Sequence, residues 1–401
     1  MINMDLIKSI SMVSPTRIVL LVIDGLGGIP EPETRKTELE TAKTPNLDKL
    51  AVESICGLSD PVSPGITPGS APGHLALFGY DPVDCNIGRG VLETVGIDFD
   101  IQPEDVATRG NFCTVDNNGL LTDRRAGRIS MEKCAELCSL LDGQVIDKVE
   151  ILVRPVKEHR FIAVFRGGGL SPAASDSDPQ QIGVAPLAVT ALNPEADRIA
   201  GIANQFVAQS KVILAGHHPA NMIIFRGFSK RPGFPSMREI YKLRPAAIAS
   251  YPMYRGLARL VGMDILETGS EVKDEFETLT QHYADYDFFF IHIKAADAAG
   301  EDGDFNRKVA VLEEVDSWIP QLTTVKPDVI VVTGDHSTPA LLKAHSWHPV
   351  PVLLHSKWCR PDKVSQFSES ACISGGLGRL PASQIMPLAM ANALKLNKFG
   401  A

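Results

Sequence analysis

The sequence lacks a long apolar run, a cysteine framework and an excess of basic residues. No apolar stretch approaches the roughly 18 residues of a membrane-spanning helix, and the strand-like run Ile18–Ile23 is far shorter. The N-terminus has none of the parts of a secretory signal peptide. We therefore expect a cytoplasmic protein with no membrane partner.

Cysteine is sparse, with seven residues, an odd number, and no CxxC pair. Structural disulfides belong to oxidising compartments and usually use even numbers of cysteines, so we expect reduced thiols in a cytosolic protein. The formal net charge is −9 and the pI is about 5.6, so we expect no nucleic-acid partner. An anionic ligand would need local arginine clusters or metal ions.

The chain has 401 residues, of which 44% are hydrophobic and 22% are charged. This length and composition are typical of a folded protein with two domains. The pattern becomes more basic between residues 85 and 235. We predict a discontinuous α/β core domain, residues 1–84 and 236–401, with a central, mostly parallel sheet flanked by helices. Residues 85–235 would form a smaller inserted α+β domain that binds substrate.

Acidic and imidazole side chains follow several apolar, strand-like runs. Asp24 follows Arg17–Ile23, and Asp335 with His336 follows Val329–Val332. We expect strands near residues 20, 290, 332 and 352 to present such residues at their C-terminal ends, the edge where active sites form in open α/β sheets. Each residue alone also fits a turn or capping role. The candidates at this edge are Asp24, Ser70, Asp297, Glu301, Asp335, His336 and His345.

Ser70 follows Gly69 and precedes a helix-like segment, Leu75–Phe78. The N-terminus of a helix favours an anion such as phosphate, because its N–H groups and dipole point outward. A plain N-cap role for Ser70 is an equally good interpretation. His74, four residues later, is by itself more typical of a structural histidine.

Carboxylates, imidazoles and one hydroxyl are a suitable set for two divalent metal ions flanking a serine nucleophile. Metal coordination can activate a serine hydroxyl, which is otherwise a poor nucleophile at neutral pH. Arginines cluster in Asp123–Arg128 and again at Arg226. Guanidinium groups match phosphate and carboxylate oxygens, so the pattern predicts phosphoryl transfer, although a solvated basic turn remains an alternative.

Four motifs carry a resemblance to a known family: Asp24-Gly-Leu-Gly-Gly, Pro68-Gly-Ser70-Ala-Pro-Gly-His74, Thr333-Gly-Asp335-His336-Ser-Thr and His345-Ser-Trp-His348-Pro-Val-Pro. They closely resemble cofactor-independent phosphoglycerate mutases of the archaeal type. That family belongs to the alkaline-phosphatase-like superfamily, so the resemblance implies an alkaline-phosphatase-like core. It covers essentially the whole chain beyond residues 1–16, which resemble a short N-terminal extension.

The resemblance implies that Ser70 takes the phosphoryl group from 2-phosphoglycerate or 3-phosphoglycerate and returns it to the other hydroxyl. Asp24, Ser70, Asp335 and His336 match the ligands of one metal ion, and Asp297, Glu301 and His345 match the positions that bind the other. The ions would be manganese or magnesium, with zinc or cobalt as alternatives, and 2,3-bisphosphoglycerate would not be needed. The residues implied near the substrate are His74, Arg124, Arg125, Arg128, Arg226, Arg255 and His348.

Glu301 departs from the family pattern, which has histidine at this position. An oxygen ligand would favour manganese or magnesium over zinc. A glutamate that points away would weaken the second metal site. The alternatives to a mutase are therefore a metal-dependent phosphatase or other phosphomutase on the same core, and a non-catalytic relative with one impaired site. The sequence leaves the choice between monomer and homo-oligomer open.

Overall fold

The structure is a computed structural model that describes residues 3–85 and 87–400. Met1, Ile2, Asn86 and Ala401 lie outside the described residues. The chain divides into two compact units, Met1–Asn86 with Phe234–Ala401 and Ile87–Gly233. The sequence pattern predicts these boundaries after residues 84 and 235. Each unit has its own sheet and its own apolar core.

The strands of the two units are numbered along the chain. Within the described residues they are β1 Ile18–Ile23, β2 Ile55–Asp60, β3 Val106–Val115, β4 Leu121–Asp123, β5 Gln144–Ile146, β6 Val149–Lys157, β7 Arg160–Arg166, β8 Met222–Lys230, β9 Pro245–Ala249, β10 Asp264–Leu266, β11 Phe288–Ile293, β12 Val329–Thr333, β13 Val350–Ser356 and β14 Gly378–Pro381.

The helices are numbered in the same way. In the part of the chain that the structure describes they are α1 Met4–Ile10, α2 Glu38–Thr41, α3 Pro45–Val52, α4 Ser70–Leu77, α5 Arg89–Val95, α6 Met131–Leu141, α7 Asp197–Ile213, α8 Met237–Tyr241, α9 Pro252–Leu260, α10 Val272–His282, α11 Ala295–Asp302, α12 Phe305–Thr324, α13 Glu369–Cys372 and α14 Ile385–Asn392. Short 3-10 turns cover Ala126–Arg128, Pro194–Ala196 and Ala382–Gln384.

The discontinuous unit contains an eight-stranded sheet in the order β10-β9-β11-β1-β12-β13-β2-β14. Neighbouring strands pair in parallel except where β13 pairs with β12 and β2. Every residue of β1 is buried, as expected for a central strand covered by helices on both faces. The predicted α/β fold with a mostly parallel sheet is confirmed.

One strand-end prediction was wrong. We expected the strand near residue 352 to present its ligand at its C-terminal end. β13 runs antiparallel to β12, so its beginning, rather than its end, lies at the edge where β12 ends. His345 precedes β13 in the chain and reaches the site from that side. Whether a strand runs parallel or antiparallel depends on the strand beside it in the sheet, and the local sequence does not specify that neighbour.

The second unit, Ile87–Gly233, contains an antiparallel sheet in the order β4-β3-β7-β6-β5, with β8 also paired to β3. Helices α6 and α7 contribute apolar residues such as Leu137 and Phe206 to its core. The expected smaller α+β unit is therefore present, with strands and helices in separate layers.

Candidate active site

Three neighbouring parallel strands bring acidic residues to one edge of the eight-stranded sheet. β1 lies between β11 and β12 and is followed directly by Asp24. Asp335 comes two residues after the end of β12, and Asp297 lies in the first turn of α11, which follows β11. Because parallel strands end at the same edge, residues more than 300 positions apart in the chain, such as Asp24 and Asp335, meet here.

Among the described residues, Asp24, Asp335 and His336 form a first ligand group. Each is fully buried, and their ligand atoms lie within 4.8 Å of one another. His336 Nε2 is 3.3 Å from Asp24 Oδ1 and 3.1 Å from Asp335 Oδ2. Both of these carboxylate oxygens are buried without a hydrogen-bond partner. Unpartnered buried anionic oxygens are costly, and a divalent cation would satisfy them.

Ser70 begins α4 and is adjacent to the first ligand group. Its hydroxyl lies 3.3 Å from His336 Nε2. Gly69, rather than Ser70, occupies the N-cap position, and no side chain caps this helix. The N-cap interpretation of Ser70 was therefore wrong, and its Oγ stands at the positive end of the helix dipole.

A second ligand group consists of Asp297, His336 and His345. His345 Nε2 is 3.6 Å from Asp297 Oδ1, and the two histidine rings stack with centroids 3.6 Å apart. The other nitrogen of His345, Nδ1, donates a hydrogen bond to the Pro68 carbonyl at 3.0 Å. This bond directs Nε2 toward Asp297.

Glu301 stays outside both groups. Its Oε1 is 3.7 Å from His345 Nε2, but 54% of its side chain is exposed. The structure instead brings His336 to the second group. The carboxylate of Glu301 is close enough to approach a cation held by Asp297 and His345, but it would have to turn inward from solvent.

Burial sets the charges of the site. It lowers the pKa of His74 and His292 to about 4 and lowers the pKa of His336 well below its ordinary value, so these imidazoles are neutral at pH 7. Burial, together with the charge of Asp24, raises the pKa of Asp335. Burial acts in the same direction on Asp24, but the hydrogen bond from His292 and nearby positive charge, including that of Lys294, outweigh it and lower the pKa of Asp24.

Lys294 is a member of the site that we missed in the sequence. Its Nζ lies 3.2 Å from Asp24 Oδ2, 2.5 Å from Asp297 Oδ2 and 3.2 Å from the Tyr254 hydroxyl. Burial alone would lower the pKa of Lys294, but the charges of Asp24 and Asp297 raise it. Lys294 directly follows β11. A lysine is not a metal-ligand type, so its position at a strand end carried no signal for a metal site in the sequence.

His292 and Tyr254 were also missed. His292 Nε2 donates to Asp24 Oδ2 at 3.1 Å, and the Tyr254 ring stacks on His292 with centroids 3.7 Å apart. His292 is enclosed in the apolar run of β11, where its sequence context gives no sign of a polar role.

His74 contacts the backbone of Ser70. Its Nδ1 donates to the Ser70 carbonyl at 2.8 Å, and its ring packs near Tyr254 and Phe290. The side chain is fully buried. Its Nδ1 also lies 3.2 Å from Asp335 Oδ2 of the first ligand group.

Two further residues expected near the substrate have local partners. Arg255 makes a two-pronged ion pair with Glu267, with N–O distances of 3.1 Å and 2.7 Å. His348 Nδ1 lies 3.1 Å from Ser346 Oγ, and its ring stacks on the half-exposed Trp347. Neither pairing includes a member of the two ligand groups.

The remaining expected arginines belong to the second unit. Arg124 is held by both oxygens of the buried Asp178, at 2.8 Å and 2.6 Å. Arg226 lies 3.7 Å from the same carboxylate. Arg125 and Arg128 are exposed. The structure therefore brings Arg124 and Arg226 together around one aspartate and leaves Arg125 and Arg128 at the surface.

A basic face on the same unit was only partly foreseen. Arg109 of β3 pairs in register with Arg226 of β8. Burial lowers the pKa of Arg109, and the charges of Arg160, Arg89 and Arg226 add to this effect, whereas Glu93 opposes it. Guanidinium groups that converge in this way are suited to an anion. Arg89 and Arg160 are far apart in sequence, so no local cluster marked them.

Comparison with known proteins then identifies the family. A family model described as "2,3-bisphosphoglycerate-independent phosphoglycerate mutase" matches residues 51–221. A relative from Aquifex aeolicus, named "Probable 2,3-bisphosphoglycerate-independent phosphoglycerate mutase", is 48% identical, and the match covers 99% of this chain and 100% of the relative. A relative of the same name from Thermotoga neapolitana is 51% identical over 96% of both chains. The chain belongs to this family.

Solved structures agree with that assignment. The cofactor-independent phosphoglycerate mutase of Thermoplasma acidophilum is 31% identical, with a TM-score of 0.79 over 94% of this chain and 100% of that one. A protein from Pyrococcus horikoshii is 29% identical, with a TM-score of 0.83 over 97% and 100%. The predictions of family, fold and enzyme class, a 2,3-bisphosphoglycerate-independent phosphoglycerate mutase, are thus confirmed. No helix within residues 3–85 and 87–400 is long and apolar enough to span a membrane.

Proposed function

We propose that this phosphoglycerate mutase interconverts 2-phosphoglycerate and 3-phosphoglycerate through a phosphoserine at Ser70, with two divalent metal ions. The observation that carries the proposal is the position of the Ser70 hydroxyl, 3.3 Å from His336 Nε2 and at the first residue of α4. This position combines a nucleophile with a set of cation ligands and with a helix N-terminus that favours phosphate.

The donor set supports a cation at each ligand group. Asp24, Asp335 and His336, with Ser70, would hold one ion, and their orphaned carboxylate oxygens support that fit. The second ion would be held by residues that supply both oxygen and nitrogen, namely Asp297 and His345, with Glu301 within reach. Carboxylate-rich sites suit manganese or magnesium. When bound, the two ions would lower the pKa of the Ser70 hydroxyl and neutralise charge on the phosphoryl oxygens.

The chain's own residues would perform two half-reactions. Ser70 Oγ attacks phosphorus, the bond between phosphorus and the glycerate oxygen breaks, and the proton lost by Ser70 ends on the freed glycerate hydroxyl. The glycerate then presents its other hydroxyl, which takes the phosphoryl group from Ser70, and Ser70 recovers a proton. His74 keeps Ser70 in place through the hydrogen bond to its carbonyl.

We propose that the second unit, residues 85–235 in our sequence assignment, binds the substrate, and that water is excluded from the phosphoserine during turnover. Arg109 and Arg226 would bind the carboxylate or the phosphate of the substrate. Arg125 and Arg128 are exposed and would be further candidates for this contact. Exclusion of water matters because water that reached the phosphoserine would release phosphate and turn the mutase into a phosphatase. Arg124 would contribute mainly by holding Asp178.

The test uses the full chain with MnCl2 and without 2,3-bisphosphoglycerate, followed by ³¹P NMR. We expect 3-phosphoglycerate to equilibrate with 2-phosphoglycerate, and Ser70→Ala to lose this activity. Ser59→Ala is the control, because Ser59 is a serine of the same unit whose hydroxyl donates to the Val350 carbonyl. An active Ser70→Ala enzyme would disprove the nucleophile assignment. Phosphate release without isomerisation would favour the phosphatase alternative.

A further inference from the structure

Thr338 occupies a special position between the two ligand groups. Its side chain is fully buried. Its Oγ1 lies 2.6 Å from Asp297 Oδ1 and 2.9 Å from His336 Nδ1. One hydroxyl thus contacts a carboxylate of the second group and the imidazole that belongs to both groups.

The single proton of this hydroxyl decides the directions of both hydrogen bonds. A carboxylate only accepts, and the short bond to Asp297 is of the charge-assisted kind, so the Thr338 proton points to Asp297. The Thr338 oxygen must then accept from His336 Nδ1. A histidine that binds a metal ion is neutral and carries one ring proton. That proton is therefore on Nδ1, and His336 Nε2 has a free lone pair.

The free lone pair faces the first ligand group. Nε2 is the atom that lies 3.1 Å from Asp335 Oδ2, 3.3 Å from Asp24 Oδ1 and 3.3 Å from Ser70 Oγ. By contrast, Nδ1 is 3.9 Å from Asp297 Oδ1, and Thr338 already occupies it. Geometry alone leaves His336 in both groups, whereas the hydrogen bond assigns it to the group beside Ser70.

Buried backbone contacts hold Thr338 in this position. Its N–H donates to the Gly27 carbonyl at 3.0 Å. The ammonium of Lys308, itself fully buried, donates to the Thr338 carbonyl at 2.9 Å and to the Gly27 carbonyl at 3.0 Å. Gly27 follows Asp24 by three residues, so Lys308 ties together the two loops that carry the first ligand group.

We propose that Thr338 is a positioning residue that fixes the Nδ1–H tautomer of His336 and thereby assigns His336 Nε2 to the metal ion beside Ser70. The proposal rests on the metal-dependent function proposed above. Hydrogen bonds from a ligand histidine to a neighbouring group orient the ring, and their loss typically costs about 10-fold to 100-fold in metal affinity or activity.

The experiment compares Thr338→Val, which removes the hydroxyl, with Thr338→Ser, which retains it. Thr333→Val is the matched control, since Thr333 is an equally buried threonine of β12 whose hydroxyl donates to the Pro351 carbonyl. Affinity and stoichiometry for Mn²⁺ are measured by calorimetry. The His336 tautomer is read from its ring ¹⁵N shifts in the metal-free protein.

We expect one of the two Mn²⁺ ions to bind about 10-fold to 100-fold more weakly to Thr338→Val, and wild-type affinity for Thr338→Ser and Thr333→Val. The wild-type His336 should carry its proton on Nδ1, and Thr338→Val should lose that preference. Unchanged Mn²⁺ affinity in Thr338→Val would overturn the proposal.

An Nε2–H tautomer in the metal-free wild type would also overturn it, and this measurement remains decisive if Thr338→Val fails to fold. The result is distinguishable from failure of the proposed function. A wild-type protein that binds no Mn²⁺ would contradict the metal-dependent mechanism, whereas the tautomer measurement needs neither metal nor turnover.

Discussion

Replacing Lys294 with methionine should lower the free energy of unfolding of the metal-free protein much more than that of the metal-loaded protein. The ammonium of Lys294 bridges Asp24 and Asp297, which are both fully buried and belong to different ligand groups. Methionine keeps most of the side-chain length and removes the charge. In the absence of metal, the two carboxylates would therefore lose a cation that compensates their charge.

The expected loss follows from the burial of the pair. Breaking a buried ion pair by removing one partner costs about 3–5 kcal/mol. The Lys294 side chain is 24% exposed, and His292 still donates to Asp24. We therefore expect a loss of about 2–3 kcal/mol, at or below the lower end of that range. At about 2–4 °C per kcal/mol, the melting midpoint in EDTA should fall by roughly 4–12 °C.

With saturating Mn²⁺, bound cations would supply the missing charge, so most of this loss should disappear. The rise in melting temperature caused by Mn²⁺ should consequently be larger for Lys294→Met than for the wild type, because the metal no longer competes with an internal ammonium. Differential scanning fluorimetry in EDTA and in MnCl2 measures both quantities.

Lys395→Met is the matched control. Lys395 is fully buried, donates to the Ser14 carbonyl at 2.9 Å and lies 3.6 Å from Asp287. Its contacts involve no member of the ligand groups, so its replacement should destabilise the protein equally with and without Mn²⁺. Equal destabilisation of Lys294→Met with and without Mn²⁺, or a smaller stabilisation by Mn²⁺ than in the wild type, would refute the compensating role of the Lys294 ammonium.

Two further predictions follow from burial. His345→Ala should lose one bound Mn²⁺ per chain, because His345 faces Asp297, whereas Glu301→Ala should retain both ions, because the Glu301 side chain is 54% exposed. Equilibrium dialysis measures the number of bound ions. Loss of an ion from Glu301→Ala would show that Glu301 is a ligand. Burial raises the pKa of Glu275 to about 8, whereas the pKa of a glutamate in an unfolded chain is roughly 4.3. Between these two pH values the folded state binds more protons than the unfolded state. The free energy of unfolding should therefore fall as pH rises from about 4.3 to about 8, by at most about 1.4 kcal/mol per pH unit. Glu275→Gln should remove this slope in urea midpoints measured in EDTA between pH 5 and pH 8, and an unchanged slope would argue against the shifted pKa.

The sequence predicted the components of the site that depend on local pattern. Apolar runs marked β1, β11 and β12, and the residues at their ends, such as Asp24 and Asp335, could be assigned to one edge because parallel strands share their polarity. Gly69 and Ser70 before a helical segment indicated a helix N-terminus. These predictions depend only on short apolar runs and on the residues that directly follow or precede them in the chain.

Other features could not be predicted because their partners are distant in sequence. Arg124 stands in a basic cluster, yet Asp178, 54 residues later, holds its guanidinium. His74 could be interpreted as a structural histidine from the sequence, but the rings of Tyr254 and Phe290 that pack against it come from other elements. In each case the decisive neighbour comes from another part of the fold.

The sequence by itself determined the family, the α/β class and the carboxylates and imidazoles of the two ligand groups, since these depend on residue types and their order. Only the tertiary structure decided which atoms face one another. It brought His345 in from the beginning of an antiparallel strand, left Glu301 half in solvent, and placed Lys294 between two carboxylates. It also set Thr338 between Asp297 and His336, because that juxtaposition requires two loops from different strands to pack together.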